Sequence, residues 1–310
     1  MGINQLTELI RKEAPDAISI ADLSKYKGQK LSIDISIAIY QWQSVGYAKN
    51  IKNSNNKYIN HLQGLFYRMI NLLEHNIYPI CVFEGIPPVI KQKTLEKRKE
   101  NMLRVKIPSF MFSDCRQLLK ILQLHYTDAA GEAEAECAAQ TKQKITDAVA
   151  SEDTDSLTFG AKKLLRGLSS NKTVTEINLS KVLKGFKISH DSFIDLCILL
   201  GCDYCGKIPG IGPAKALQLI RKHKSIEKII KAEHINVEKF DFNYEAARKE
   251  FKSPITNSID KNLLKWKPMQ QKQVNELYKF LVVDNLLSEK KVINGIARLE
   301  KLSNIPVVIR

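Results

Sequence analysis

Long apolar runs are missing from this chain of 310 residues. None approaches the roughly 18 residues that a membrane span needs. Glu8, Arg11, Lys12 and Glu13 stand where a secretory leader would be apolar, and position six is Leu6, not the Ser or Thr of an N-myristoylation signal. A soluble intracellular protein with no membrane partner is expected. Cysteine is also scarce: Cys81, Cys115, Cys137, Cys197, Cys202 and Cys205 show no secreted disulfide framework. Cys202-x-x-Cys205 has no second pair and no nearby His, so reduced, mostly buried thiols are expected there, not zinc.

Acidic residues are outnumbered. The net charge is +15, and from Tyr204 to Arg310 there are 21 Lys and Arg against 11 Asp and Glu, an excess of 10 in that third alone. Such an excess favours a polyanionic partner, nucleic acid above all, or else is a solvated basic surface. Hydrophobic content of 44% and charged content of 26% are those of an ordinary globular protein, long enough for one large core or a core with a satellite.

Against this background the acids that are present gather in one stretch. Gly131 to Gly160 holds Glu132, Glu134, Glu136, Glu152, Asp153 and Asp155. Two carboxylates about 4 Å apart repel by roughly 4 kcal/mol at an effective dielectric near 20. The cluster therefore faces water or holds cations. The Glu triplet alone could equally fill the first turn of a helix beginning after Gly131.

Along the chain, Ile3 to Ile10 has helical spacing. Leu31 to Ile39 (L-S-I-D-I-S-I-A-I) alternates with period two and predicts a strand, with Ser36 able to cap a helix soon after. His61 to Leu73 predicts an amphipathic helix, Pro79 to Phe83 a buried strand ending at Glu84, and Ala148 to Ala150 a third strand that runs into Asp153 and Asp155. Helical stretches at 62–73 and 113–122 suit parallel crossovers. Ligands of open parallel sheets bind beyond the carboxyl ends of the strands, so adjacent strands would bring Asp34, Glu84, Asp153 and Asp155 to one rim. Asp153 and Asp155, two apart at a strand end, would project together. Asp203 follows another apolar run, Phe193 to Leu200. An all-carboxylate set suits Mg2+ or Mn2+. So many acids suit a two-metal site that clamps both oxygens of an in-line phosphoryl displacement, and the reading is a phosphodiester hydrolase.

Two basic stretches bear on the same chemistry. Lys91 and Arg98 are seven apart and share a helical face, where cations could hold a scissile phosphate or simply line a solvated helix. Gly206 to Ala216 is a Gly/Pro-rich turn opening a helix. It could bring backbone N–H groups close to a phosphate, with Arg221, Lys222 and Lys224 beyond, or be a plain helix connection.

Taken together, M-G-I-N-Q-L, I-D-I-S-I-A-I-Y-Q-W, F-Y-R, V-F-E-G-I-P-P, E-A-E-A-E-C-A-A, E-D-T-D-S-L-T-F-G, L-C-I-L-L-G-C-D-Y-C, G-I-G-P-A-K-A-L-Q-L-I and K-H-K-S-I-E-K-I-I resemble, in order from Gly2 to about Leu302, the flap endonucleases of the XPG structure-specific 5′-nuclease family. The resemblance implies an α/β fold, a mainly parallel sheet flanked by helices in a PIN-like nuclease core over 1–202, with an arch at about 89–112. A helix–two-turn–helix duplex-binding and C-terminal helical region over 203–310 is implied to pack on that core. It implies a two-Mg2+ site, with Mn2+ able to substitute, on Asp34, Glu84, Glu132, Glu134, Asp153, Asp155 and Asp203. It places Lys91 and Arg98 as catalytic cations, Tyr40 as an aromatic stacking near the unpaired 5′ nucleotide, and Gly2 as a mature N-terminus close to substrate. DNA contacts are implied at Arg68, Gly210, Gly212, Lys215, Arg221 and Lys222, with K+ at the helix–two-turn–helix. The implied substrate is branched DNA (a 5′ flap, nicked or gapped duplex) cut in replication and repair by a monomer at a nuclear or cytoplasmic replication site.

The chain departs from that family in three places. Glu84 stands where most members have Asp and is expected still to reach a metal, directly or through water. Only 34 positions separate Arg98 from Glu132, so the arch is expected to be short or capless and to thread flaps less strictly. The chain ends S-N-I-P-V-V-I-R without a Gln-to-Phe-Phe peptide, so sliding-clamp recruitment is not expected. A gap, bubble or Holliday-junction nuclease of the same family is the alternative within the enzyme class; a weakly active junction-binding scaffold is the alternative outside it.

Overall fold

In the computed structural model, residues 2–49, 51–92, 94–96, 107–168, 173–258, 267 and 269–303 are described. Seven strands form one sheet: β1 (Ile18–Asp22), β2 (Lys30–Asp34), β3 (Tyr78–Phe83), β4 (Tyr126–Asp128), β5 (Ala148–Ala150), β6 (Lys163–Arg166) and β7 (Thr173–Asn178), in the order β1-β7-β6-β5-β2-β3-β4. β6, β5, β2, β3 and β4 run parallel, whereas β7 pairs antiparallel with both β6 and β1. The mainly parallel α/β sheet expected from the sequence is thus present. The strands expected to end in acids, β5, β2 and β3, are neighbours.

Strand residues divide by pleat between two helical layers. Val82, Val149, Leu164 and Ile177 face helices Leu6–Glu13, His190–Leu200, Pro213–His223 and Tyr244–Lys252. Leu31, Ile33, Cys81, Phe83, Ala148 and Ala150 face helices Asn60–Glu74, Ser109–Ile121, Gln271–Tyr278 and Glu289–Ser303. Both faces of the central strands are therefore buried, which is why β3 and β5 read as unbroken apolar runs. The last third of the chain supplies helices to both layers.

One expectation fails. The strand read over Leu31 to Ile39 ends at Asp34, and helix Ile35–Ala48 begins at once. Asp34 Oδ1 accepts from the N–H of Ile37 at 3.2 Å, the contact of a helix-capping acid. Ile35, Ile37, Ala38 and Ile39 are all buried, and a helix start with no polar face has no 3.6-residue signature to set against alternation. Ser36 instead uses its hydroxyl to accept from Glu84 N at 2.9 Å, tying β2 to the end of β3. Of the expected arch, 89–112, residues 97–106 and 93 lie outside the described residues; Val89–Lys91 is a short 3-10 turn, and helix Ser109–Ile121 starts within the range.

Candidate active site

Level strand ends build the pocket. Asp34 pairs across the sheet with Val82, and Ile33 pairs with Ala150, so β2, β3 and β5 stop at one edge. Asp34 is the last residue of β2 and Glu84 follows β3. Beyond β4, Glu132 is the N-cap of helix Ala133–Lys142, with Glu134 in its first turn. The carboxylates of Glu84, Glu132 and Glu134 each have an oxygen within 4.8 Å of the others. The Glu triplet is thus both a helix start and a cluster.

Asp153 and Asp155 do not lie at a strand end as read from the sequence. They occupy the turn after β5 and the first position of the short helix Asp155–Thr158, joined by Asp155 N donating to Asp153 Oδ1 at 3.0 Å. Asp203 sits in the loop after helix His190–Leu200, where its Oδ2 lies 3.4 Å from Lys91 Nζ. Lys91 also pairs with Glu132 Oε1.

Convergence shows in the charges. Burial, then the neighbouring Glu84 carboxylate and also Asp153, push Asp34 up to about 7, against the pull of the Ile37 N–H and the Ser151 hydroxyl. Burial, followed by Glu84, Asp34 and Asp153, raises Glu134 well above the carboxylate range. Burial, then Asp153 and Asp203, does the same to Asp155. Burial works against a charge on Lys91, but Glu132, Glu134 and Asp203 outweigh it and hold the ammonium protonated. One buried cation cannot balance this many acids. Glu134 Oε2 and Asp155 Oδ1 are buried with no hydrogen-bond partner among the described residues. Lone carboxylate oxygens of this kind, in an all-oxygen donor set, fit hard divalent cations.

Gly2 lies against the same pocket. Its φ is +92°, and a Cβ there would fall 2.1 Å from Asp153 Oδ1, so only glycine allows the approach. Three contributors escaped the sequence reading. Ser151 donates to Asp34 Oδ2 at 3.1 Å and accepts from Asp153 N at 3.0 Å. Tyr204 donates its hydroxyl to Glu132 Oε2. Thr94 Oγ1 donates to the carbonyl of Asp203 at 2.7 Å. Ser151 and Tyr204 adjoin acids in sequence (Glu152 and Asp203), which is the one signal that could have pointed to them.

The remaining sequence-predicted residues are spread more widely. Tyr40 is 45% exposed on helix Ile35–Ala48. Arg68 stacks on Trp42, its Cζ 4.6 Å from the ring centroid, and lines a cleft of about 540 Å³ with Trp42, Tyr67 and Arg298. Gly210 has φ +78° and Gly212 caps helix Pro213–His223, both with open space around them; Lys215 and Lys222 are exposed on that helix. Arg221, whose side chain is 36% exposed, donates to Glu13 Oε2 at 3.0 Å and to the Phe186 carbonyl at 2.9 Å. Its guanidinium links the C-terminal end of helix Leu179–Phe186 to helix Leu6–Glu13, a structural contact that the sequence reading of Arg221 does not include. Arg98 lies outside the described residues.

The fold and the pocket together define a metal-dependent DNA nuclease. The XPG N-terminal domain profile matches residues 1–104 and the XPG I-region profile residues 123–203. Flap endonuclease 1-A of Sorghum bicolor is 39% identical, covering 98% of this chain and 88% of its own length; flap endonuclease 1 of Salmo salar is 37% identical, covering 97% and 87%. Among solved structures, flap endonuclease-1 of Methanococcus jannaschii superposes with a TM-score of 0.75 at 27% identity, covering 93% of this chain and 96% of its own. The catalytic core of Rad2 in complex with DNA substrate shares the fold, with a TM-score of 0.79 at 20% identity over 96% and 100%. The chain belongs to the XPG family and, within it, to the flap endonucleases, structure-specific 5′ nucleases of DNA replication and repair.

Proposed function

We propose that the chain hydrolyses phosphodiesters at single-strand/duplex DNA junctions with two Mg2+ ions, leaving a 5′-phosphate and a 3′-hydroxyl. Glu84, Glu132 and Glu134 would hold one ion, Asp153, Asp155 and Asp203 the other, with Asp34 between them. When bound, the ions supply Lewis-acid charge and lower the pKa of the attacking water. The chain's own groups do the rest. Lys91, kept charged by its acidic neighbours, stands at the phosphate to stabilise its developing negative charge, with Arg98 in the same role. Tyr40 offers an exposed ring for an unpaired base to stack on. Gly210, Gly212, Lys215 and Lys222 grip duplex backbone, and the 206–212 turn suits K+.

The observation that carries this reading is the three-glutamate cluster beside a buried lysine at the end of a parallel sheet. The test is Mg2+-dependent cleavage of a labelled 5′ flap. Asp155→Ala is expected to lower the rate at least about 100-fold while flap affinity measured in Ca2+ stays within about threefold. A variant that still cleaves would remove the proposal.

The 34-position interval between Arg98 and Glu132 favours a second, finer reading, in which the short arch admits gapped, bubble or four-way junctions besides flaps. A panel of those substrates decides it, together with a 5′-biotin flap capped by streptavidin before enzyme is added. Cleavage of the capped flap within about threefold of the uncapped rate is expected, and strong blockage would mean strict threading.

A further inference from the structure

The mouth of the acidic pocket carries side chains that the chemistry above does not use. Ile86 and Val89 are 82% and 78% exposed, and Ile255, from the segment after helix Tyr244–Lys252, is 73% exposed. The two segments meet at Gly131. Its carbonyl accepts from Gly85 N at 2.9 Å, and a Cβ placed on it would lie 3.3 Å from the Ile255 carbonyl and 4.0 Å from that of Ile86. Gly131 precedes Glu132, and Glu84 precedes Gly85, so the backbones that carry Ile86 and Ile255 flank the carboxylate cluster, and Val89 stands two residues before Lys91.

Both segments are anchored. Glu84 Oε2 accepts from Ala133 N at 2.9 Å. On the other side Asn257 donates its N–H to Glu136 Oε2 at 2.9 Å and its side-chain amide to the Asp128 carbonyl at 2.8 Å. This accounts for Glu136, the third acid of the E-A-E-A-E run: it is buried and turned to the 253–258 segment, not to the cluster.

We propose that Ile86, Val89 and Ile255 form a rigid apolar lip on which a nucleobase next to the scissile phosphate packs, so that the lip selects strands whose base at that point is unstacked. The proposal rests on the nuclease reading of the pocket. A phosphate drawn to Lys91 brings the bases on either side of it within one nucleotide of the lip, and the faces of those bases are the apolar part of such a strand. Isoleucine and proline are among the side chains that proteins press against base steps to unstack them, and Pro87-Pro88 lies between Ile86 and Val89. A lip already held by Gly131 and Glu136 loses little freedom on binding, so the contact is not spent on ordering.

The test compares wild type with Ile86→Asn and Ile255→Asn, surface changes whose folding is checked by melting. Single-turnover cleavage in Mg2+ is measured on flaps that are intact, or abasic at the nucleotide on one or the other side of the scissile phosphate. Each variant is expected to slow cleavage of the intact flap by about tenfold, the size of a lost base contact. On the flap abasic at the contacted nucleotide, wild type and variants should cleave alike. Equal slowing on intact and abasic flaps, or no slowing, overturns the lip. So does wild-type self-association in sedimentation that the variants lose, since the lip would then seat a second copy of this chain. A wild type that cleaves no branched DNA strikes the nuclease reading itself, which keeps the two failures apart.

Discussion

Glu132 has both carboxylate oxygens engaged, one by Lys91 and the other by the Tyr204 hydroxyl. The Tyr204 ring is buried edge-on to Phe251, their centroids 4.9 Å apart, and Phe251 packs on Phe159 at 5.1 Å. A hydroxyl set in such a rigid column fixes the rotamer of the acid it touches. Groups that orient metal-binding acids are worth about 10- to 100-fold in metal affinity. Tyr204→Phe is therefore expected to raise the Mg2+ concentration for half-maximal cleavage by about 10-fold or more, and to shift the Mg2+ titration of the melting temperature equally. A variant whose melting still responds to Mg2+ as wild type does would show that Tyr204 is only packing. The acids were legible because each follows an apolar run or a helix start. Tyr204, Ser151 and Thr94 were not, since the value of a hydroxyl depends on which distant carboxylate or carbonyl the fold sets beside it.

Among the elements, helix Pro213–His223 separates two kinds of cation that its sequence presents alike. Lys215 and Lys222 are exposed, whereas the partly exposed Arg221 is hydrogen-bonded to helices Leu6–Glu13 and Leu179–Phe186. Lys222→Ala should weaken duplex binding at low salt and reduce the salt slope by about one counterion, with unfolding free energy unchanged within about 0.5 kcal/mol. Arg221→Ala should do the reverse: a loss of about 1–3 kcal/mol in urea unfolding, from the carbonyl and carboxylate contacts left unmade, with the salt slope unchanged. Paired measurements of slope and stability on both variants check this, and a reversed pattern would make Arg221 a DNA contact and Lys222 a structural one. The same limit explains residues 35–39. Where every side chain is buried, alternation and helical periodicity give one pattern, and Asp34 capping at Ile37 selects the helix.

For the whole molecule, whose net charge is +15, a few buried acids are concentrated where they repel one another. Cations that bind only the folded pocket should stabilise it, so millimolar Mg2+ is expected to raise the melting temperature over chelator by several degrees. The sign with pH follows from Asp34, held up to about 7 by burial and Glu84. Between an ordinary carboxylate value near 4 and that value, the folded state binds more protons than the unfolded one. Metal-free stability should accordingly fall as pH rises through that window, while stabilisation by Mg2+ grows as the proton leaves. Melting from pH 5 to 8, with chelator and with Mg2+, checks both. A metal-free protein that gains stability across the window would mean that these acids do not share a pocket. Among the described residues no helix is long and apolar enough to cross a membrane.

The sequence alone determined the chemistry: an excess of cations for a polyanion, carboxylates without histidine for a hard metal, and apolar runs that end in acids. Residue type and order along the chain carry all of that. Tertiary structure alone decided which groups meet: Lys91 against Glu132 and Asp203, Gly2 against Asp153, Arg221 against Glu13, and the Ile86 and Ile255 backbones on either side of Gly131. Those pairings join positions far apart in the numbering, and only the packing of helices on both faces of the sheet brings them together.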